Sequence, residues 1–169
     1  MADDPKSGVS VTNLDANPRL MNFKEFFGGE VKAQVDTVEA AATDQATSTY
    51  RLVRIPSDAC LIFLSLLCDA LGGACAADIG LYRTAADGGA VVDVDCYGTA
   101  QTLVSAITQT ASVNVAFEAR DVANIRKQAW QDAGLATDPV CFFDVVLTLT
   151  ADAAAAGTIT VLALYTDGN

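Results

Sequence analysis

The residues of this chain that could do chemistry are few, and most of them are aspartates. Asp93 and Asp95 alternate on one predicted strand, which places both carboxylates on one face about 7 Å apart. Two carboxylates can hydrolyse a glycosidic bond, but they usually come from separate elements around a cleft lined with aromatic side chains. Here the nearest large aromatic residue is Tyr97 alone. We therefore expect a solvated strand face at these aspartates and no catalytic site.

Metal and nucleophile chemistry is also poorly supported. Asp87 could join Asp93 and Asp95 in an oxygen-rich calcium site, although a solvated face explains the same residues more simply. The chain has no histidine, which removes Ser-His-Asp and Cys-His catalysis and most zinc sites. It also lacks a G-x-S-x-G elbow, a Walker A loop and a dinucleotide-binding glycine motif. The sequence thus predicts no enzyme, no cofactor and no resident metal.

The five cysteines carry little functional information. No two of them form a C-x-x-C motif, and the closest pair, Cys68 and Cys75, has six residues between its members. Most lie in or beside apolar strands, where a thiol behaves as a small buried hydrophobic group. The sequence leaves a disulfide open. The five are Cys60, Cys68, Cys75, Cys96 and Cys141.

The charge of the chain restricts its partners. There are 21 acidic and 10 basic residues, for a formal net charge of −11, and Arg126-Lys127 is the one adjacent basic pair. Proteins bind nucleic acid largely through Lys and Arg at the phosphates, so we expect no direct nucleic-acid binding. Such acidity is typical of a soluble surface that faces solvent.

No segment of the sequence predicts a membrane protein. The longest apolar run, Cys60–Cys68, is interrupted by Ser65 and is too short to cross a bilayer. The first eight residues lack a basic region followed by an apolar stretch, so we expect no signal peptide and synthesis in a cytoplasm.

Short strands and turns dominate the chain after residue 48. With 169 residues there is room for one domain with a core. Asp87-Gly88 is typical of a hairpin turn, and we expect the last two strands to form an antiparallel pair. The pattern predicts an all-β fold, a jelly-roll-like β-sandwich over residues 49–169. The strand-like runs are Tyr50–Ile55, Cys60–Cys68, Ala77–Tyr82, Val91–Asp95, Asp144–Thr150 and Thr158–Tyr165.

One α-helix is predicted inside the sandwich, over Asp121–Ala133. Asp121 is a suitable N-cap, apolar residues follow at three- and four-residue spacing, and Gly134 is a suitable stop. Trp130 lies beside the apolar stripe, and we expect it to fix the helix to a sheet.

Residues 1–48 predict an extended N-terminal arm. Val31–Val38 alternates like a strand, with Val31, Ala33 and Val35 on one face, and Lys24–Phe27 before Gly28-Gly29 could form a helical turn. A segment with a few large apolar residues and no core of its own must use a partner surface, unless it is a disordered tail. The candidate partner-binding residues are Leu20, Met21, Phe23, Phe26, Phe27 and Val31.

Several motifs give the chain a family resemblance. It resembles the small virion structural proteins of tailed bacteriophages, of the head decoration or cement type. The resemblance covers about residues 49–165, with a weaker likeness at 18–22. It implies a β-sandwich without catalytic residues, often a homotrimer, that binds the outer surface of the head shell and bridges adjacent major capsid subunits. The motifs are Thr49–Ala59, Cys68–Gly72, Ala77–Tyr82, Trp130–Leu135, Asp138-Pro139, Asp144–Thr150 and Ala156–Ile159.

Other functions remain open at this point. A tail, neck or fibre-base component could have the same architecture, and copy number per virion would separate it from a cement protein. A major capsid protein is disfavoured by the length of the chain. A carbohydrate-binding sandwich for host attachment would need an exposed aromatic platform, for which the candidates are Tyr82, Tyr97, Trp130 and Tyr165. We expect Trp130 and Tyr165 to be buried.

Overall fold

A computed structural model describes residues 9–22, 29–109 and 118–167. Short 3₁₀ turns occur at Ala85–Asp87 and Val122–Asn124. The helices are α1 (Val9–Asp15) and α2 (Ala129–Asp132). The strands are β1 (Val31–Ala40), β2 (Thr49–Pro56), β3 (Cys60–Cys68), β4 (Ala76–Arg83), β5 (Val91–Thr102), β6 (Phe142–Leu149) and β7 (Gly157–Thr166).

The seven described strands form two antiparallel sheets. One has the order β1-β7-β3 and the other the order β2-β6-β4-β5. The chain changes sheet between β1 and β2, between β2 and β3, between β3 and β4, and between β6 and β7, as in a jelly roll. The prediction of an all-β sandwich is therefore confirmed.

The core lies between the sheets, where the alternating residues of both inner faces meet. On β6 the inward side chains are Val145, Leu147 and Leu149, and each is at most 1% exposed. From the opposite sheet, β7 and β3 contribute a second layer of aliphatic and aromatic side chains. These are Leu61, Leu64, Leu66, Ile159, Val161, Ala163 and Tyr165, all buried.

A distortion in β5 brings an aromatic ring into this core. Ile79 of β4 pairs with Gly98, but Leu81 pairs with Asp93, so β5 has extra residues between them. The backbone of β5 then passes so close to β4 that a Cβ on Gly80 would lie 2.1 Å from the Asp93 carbonyl oxygen. Glycine is required there. Tyr97, in the extra segment, is completely buried.

The predicted helix over Asp121–Ala133 is wrong in length and continuity. The structure has a 3₁₀ turn at Val122–Asn124 and a single helical turn at α2. Asp121 does cap, since its carboxylate accepts from Ala123 N at 2.8 Å. However, the N–H groups of Ala129 and Trp130 donate to the carbonyls of Ala59 and Ser57, at the β2–β3 turn. Bonds to a distant turn thus replace the intrahelical bonds of a longer helix.

The predicted pairing of the last two strands is also wrong. β6 lies between β2 and β4, whereas β7 lies between β1 and β3 in the other sheet. Both strands alternate as predicted, because each has one face on the core. Alternation says nothing about which neighbour a strand has, and here the connection of residues 150–156 crosses from one sheet to the other.

The strand predicted over Val31–Val38 is confirmed, and it is a sheet strand. β1 pairs with β7 from Val31 opposite Thr166 to Ala40 opposite Gly157. The three-stranded sheet therefore begins before the boundary expected at residue 48. The helical turn predicted at Lys24–Phe27 lies outside the described residues.

Candidate interaction surface

Residues 9–22, which we call the N-terminal unit, fold through their own polar contacts. The N–H of Leu20 donates to the Asn13 carbonyl at 3.0 Å, and the Asn13 side chain donates to the Asn22 side chain at 2.8 Å. Asn22 in turn donates to the Ser10 carbonyl at 3.1 Å. No residue of α1 is buried. The unit is held by hydrogen bonds and has no apolar core of its own.

The apolar residues predicted in the arm are exposed where the structure describes them. Leu20 is 56% exposed and Met21 is 93% exposed, both in the N-terminal unit, while Val31 is 56% exposed at the start of β1. Sequence reasoning missed Val9 and Val11, which are 57% and 51% exposed. Val9 and Val11 are two positions apart, whereas the apolar residues of an amphipathic helix recur three or four positions apart. A seven-residue helix is also too short to show that pattern. The predicted residues Phe23, Phe26 and Phe27 lie outside the described residues.

β1 exposes an apolar outer face. The sequence predicted that its valines share one face but not that this face points to solvent. Val31, Ala33 and Val35 share one face, as predicted, and all three are exposed, Val35 to 63%. Opposite Ala33 and Val35 on β7 lie Leu164 and Leu162, which are half-buried. The alternation alone could not show that this face points away from the core.

The other face of β1 is polar at Lys32 and Gln34 and apolar at Val38 and Ala40, which pack on the core. Lys32 forms an ion pair with Asp167, and this hydrogen bond raises the pKa of Lys32. The side chain of Gln34 accepts from Arg54 N at 3.1 Å and donates to the Tyr165 hydroxyl at 2.9 Å. These contacts fix the orientation of β1 and so keep its apolar face outward.

A second apolar surface lies at the end of the sandwich near β6. Val140 is 86% exposed and Phe142 is 54% exposed. They line a surface cavity of about 500 Å³ that Ser57 and Asp138 also border. The Ser57 hydroxyl donates to the Asp138 carboxylate at 2.5 Å and accepts from Cys141 N at 3.1 Å. Both hydrogen bonds of the Ser57 hydroxyl connect the β2–β3 turn to the segment before β6. The arrangement therefore indicates a structural role for this serine.

Two buried aspartates face arginines, and the balance between burial and the arginine contacts shifts their pKa values in opposite directions. Asp144 accepts from Arg51 at 2.9 Å and from Arg54 at 2.6 Å. Burial alone would raise the pKa of Asp144, but these hydrogen bonds outweigh it and lower the pKa. Asp132 lies 2.9 Å from Arg120, and both side chains are 3% exposed. Here burial dominates and raises the pKa of Asp132 to about 6, although Arg120 opposes the change.

The Arg120–Asp132 pair holds the segment of residues 118–133 against β3. The Arg120 guanidinium also donates to the carbonyls of Leu61 at 2.8 Å and Lys127 at 2.9 Å. Its position links β3 and α2 through one buried side chain. The pair is therefore part of the packing of the sandwich.

The residues considered for catalysis are arranged without a reactive centre. The Asp93 carboxylate accepts from Asp95 N at 3.2 Å, and both residues are half-buried. Within residues 9–22, 29–109 and 118–167, no three His, Cys, Asp or Glu side chains are placed to hold a metal. All five cysteines are thiols outside any disulfide, and burial raises the pKa of Cys96 well above its ordinary value. A thiol in that state is a poor nucleophile.

The aromatic residues do not form a platform for sugars. Tyr82, Tyr97 and Tyr165 are at most 5% exposed, as expected for Tyr165. Trp130, which we expected to be buried, is only half-buried, and its indole N–H donates to the Gln128 side chain at 2.8 Å. The four candidates therefore give no support to the carbohydrate-binding alternative. None of the helices within the described ranges is long and apolar enough to span a membrane.

Comparison with known proteins connects the fold to virus capsids. No protein-family model and no curated protein sequence matches the chain. A chain of the cyanophage Pam1 capsid asymmetric unit is similar in structure, with a TM-score of 0.52 and 17% identity over 83% of this chain and 86% of that chain. At this identity the likeness shows a shared fold: the chain is a β-sandwich of a type that occurs in a phage capsid.

Two further capsid structures are similar at lower scores. A chain of the capsid of Ralstonia phage GP4 has a TM-score of 0.47 and 20% identity, over 83% of this chain and 86% of that chain. A chain of the acidic stable capsid structure of Helicobacter pylori bacteriophage KHP30 has a TM-score of 0.38 and 14% identity, over 83% of this chain and 94% of that chain.

Proposed function

We propose that this chain is a decoration, or cement, protein of a tailed-bacteriophage head. It binds the outer surface of the head shell and bridges adjacent subunits of the major capsid protein, as a homotrimer, and it has a structural rather than an enzymatic role. The fold shared with a chain of the Pam1 capsid and the family motifs over residues 49–165 support this proposal.

The observation that carries the proposal is the exposed apolar surface of the N-terminal unit. Leu20 and Met21 are more than half exposed in a segment held by its own hydrogen bonds. Removing a Leu or Met side chain from water contributes about 1.5–3 kcal/mol. A trimer would bind through three such units, so that modest contacts combine into firm attachment to a lattice.

The charge of the chain favours the outside of a head over the inside. With a net charge of −11, the protein would be repelled by packaged DNA, whose phosphates attract basic proteins. On the outer surface the same charge would keep virions apart in solution.

Attachment can be tested with phage particles that lack this protein. We expect purified wild-type chain to bind them, and the double variant Leu20→Asp/Met21→Asp to bind at least about a hundredfold more weakly, since about 3 kcal/mol or more of apolar burial is lost. The matched control is Val91→Asp. Val91 is 55% exposed on β5, which lies in the four-stranded sheet and outside the N-terminal unit. Shell occupancy is measured by quantitative gel densitometry of purified particles.

A truncation separates the unit from the sheet. Deleting residues 1–28 removes the N-terminal unit and leaves β1 in place, whereas a longer deletion would remove a strand of the sandwich. Equal occupancy for wild type, the double variant and the truncation would exclude the unit from attachment. A copy number of about a dozen or fewer per virion, against hundreds for a cement protein, would favour the tail or neck alternative.

A further inference from the structure

β1 is an unusually regular edge strand. It pairs with β7 over ten residues without a register shift, whereas the β2–β6, β3–β7 and β4–β5 ladders all contain one or more shifts. In the described part of the chain, β7 is its one neighbour in the sheet. The Thr37 N–H donates to the Asp36 carboxylate at 2.8 Å, so this backbone group already has a partner. A long, regular edge is otherwise suited to pairing with another strand.

The side chains of β1 add an apolar surface to this edge. Val31, Ala33 and Val35 are all exposed on its outer face. A strand added beside β1 would place its own side chains directly against them, at about 4.5–5.5 Å between Cβ atoms. The occupant should therefore carry small or apolar residues at alternate positions, and β1 itself has that pattern.

The charges of β1 specify one register with a second copy. Two antiparallel strands related by a two-fold axis keep the same faces together, so even-numbered residues oppose even-numbered ones. If Gln34 lies opposite Gln34 of the other copy, each Lys32 opposes an Asp36 and each Ala33 opposes a Val35. Within one strand, Lys32 and Asp36 are about 13 Å apart, too far to pair with each other.

Neighbouring registers are less favourable. Centring the axis on Val35 would oppose Lys32 with Val38 and leave Asp36 opposite Gln34. Centring it on Ala33 would oppose Glu30 with Asp36, two like charges, which destabilises a strand pair.

We propose that two copies of this chain associate through antiparallel pairing of their β1 edges, with the two-fold axis at Gln34. The two three-stranded sheets then form one continuous six-stranded sheet. The contact joins two single chains or two trimers, and it does not depend on the role on a phage head.

Charge reversal tests this contact. The variants are Lys32→Asp, Asp36→Lys and the double variant with both changes, compared by sedimentation equilibrium at low salt. Each single change opposes like charges at two positions of the contact, so we expect association to weaken about tenfold or more. The double change restores opposite charges and should restore association. The intrachain pair of Lys32 with Asp167 stays broken in the double variant, so recovery would report a contact between copies.

Glu30→Lys is the matched control. It changes the charge as much as Asp36→Lys does, but in the proposed register residue 30 lies opposite Val38, so association should not weaken. Circular dichroism and thermal unfolding check that every variant is folded. The proposal is overturned if wild type and both single variants have the same mass at all concentrations, or if the double variant associates as weakly as the singles.

Discussion

β1 and β3 lie on either side of the same strand, β7, and both pair with it antiparallel. β3 is largely buried, whereas most of β1 is exposed. Over β3 the chain adds its own cover: the Cys60 thiol donates to the Ile125 carbonyl at 3.3 Å, and Arg120 donates to the Leu61 carbonyl. The chain thus completes one flank of the three-stranded sheet by itself and leaves the other flank to solvent.

The largest effect on stability is expected from a substitution that disrupts the cover over β3. Arg120→Met leaves Asp132 buried without its ion partner, and removing one member of a buried pair costs about 3–5 kcal/mol. The free energy of unfolding, from urea titration, measures the loss. The double variant Arg120→Met/Asp132→Leu should recover the part of the loss that comes from the unpaired charge. The bonds from Arg120 to the Leu61 and Lys127 carbonyls stay lost. A loss below 1 kcal/mol in the single variant would contradict the structural role given to this pair.

A core truncation in β3 should have the next largest effect. Leu66 is 1% exposed between the sheets. Leu66→Ala removes buried aliphatic surface and leaves a cavity, which destabilises by about 2–5 kcal/mol. Urea unfolding is again the measurement, and wild-type stability in this variant would show that β3 is less tightly packed than its burial indicates.

Acidity should act on the cover over β3 through Asp132. Its pKa is about 6 in the folded protein against an ordinary value of 3.8, so the folded state takes up a proton first as pH falls. The protonated Asp132 carboxyl therefore stabilises the folded state. This stabilisation is complete below pH 3.8 and is lost as pH rises through about 6. Relative to Asp132→Asn, wild type should lose up to about 3 kcal/mol of stability over that range.

Asp144 provides the internal control for this pH dependence. Its pKa is lowered in the folded state by its two arginines, so its stabilising contribution is lost as pH falls. Asp132→Asn and Asp144→Asn should therefore change the pH dependence of unfolding in opposite directions. Parallel changes in the two variants would show that one of these environments is misassigned.

The smallest effect is expected on the open flank. Val35 is 63% exposed, so Val35→Ala should change the stability of the single chain by no more than about 0.5 kcal/mol. Unfolding is measured at a concentration too low for association between copies. A loss comparable to that of Leu66→Ala would mean that β1 is covered within one chain, and the contrast between the flanks would disappear.

Much of the fold was predictable because strand periodicity and turn chemistry are local. The strands at Cys60–Cys68 and Val31–Val38 follow from their residue types. The hairpin turn is also as predicted, with Gly88 at φ +87°, a conformation that favours glycine. The candidate residues Leu20, Met21 and Val31 are exposed, while their binding to a partner stays a prediction.

The sequence by itself determined which segments form most of the strands, which residues turn the chain, and that no histidine-based chemistry is available. It did not determine the strand ends, since β5 continues from the predicted Val91–Asp95 to Thr102. Tertiary structure decided the neighbours of β6 and β7, the division of Asp121–Ala133 into two short turns, and the outward direction of the valines on β1. The physical reason is the range of the interactions. Alternation depends on residues two positions apart, whereas strand partners, helix length and the exposed face depend on contacts between residues far apart in the chain.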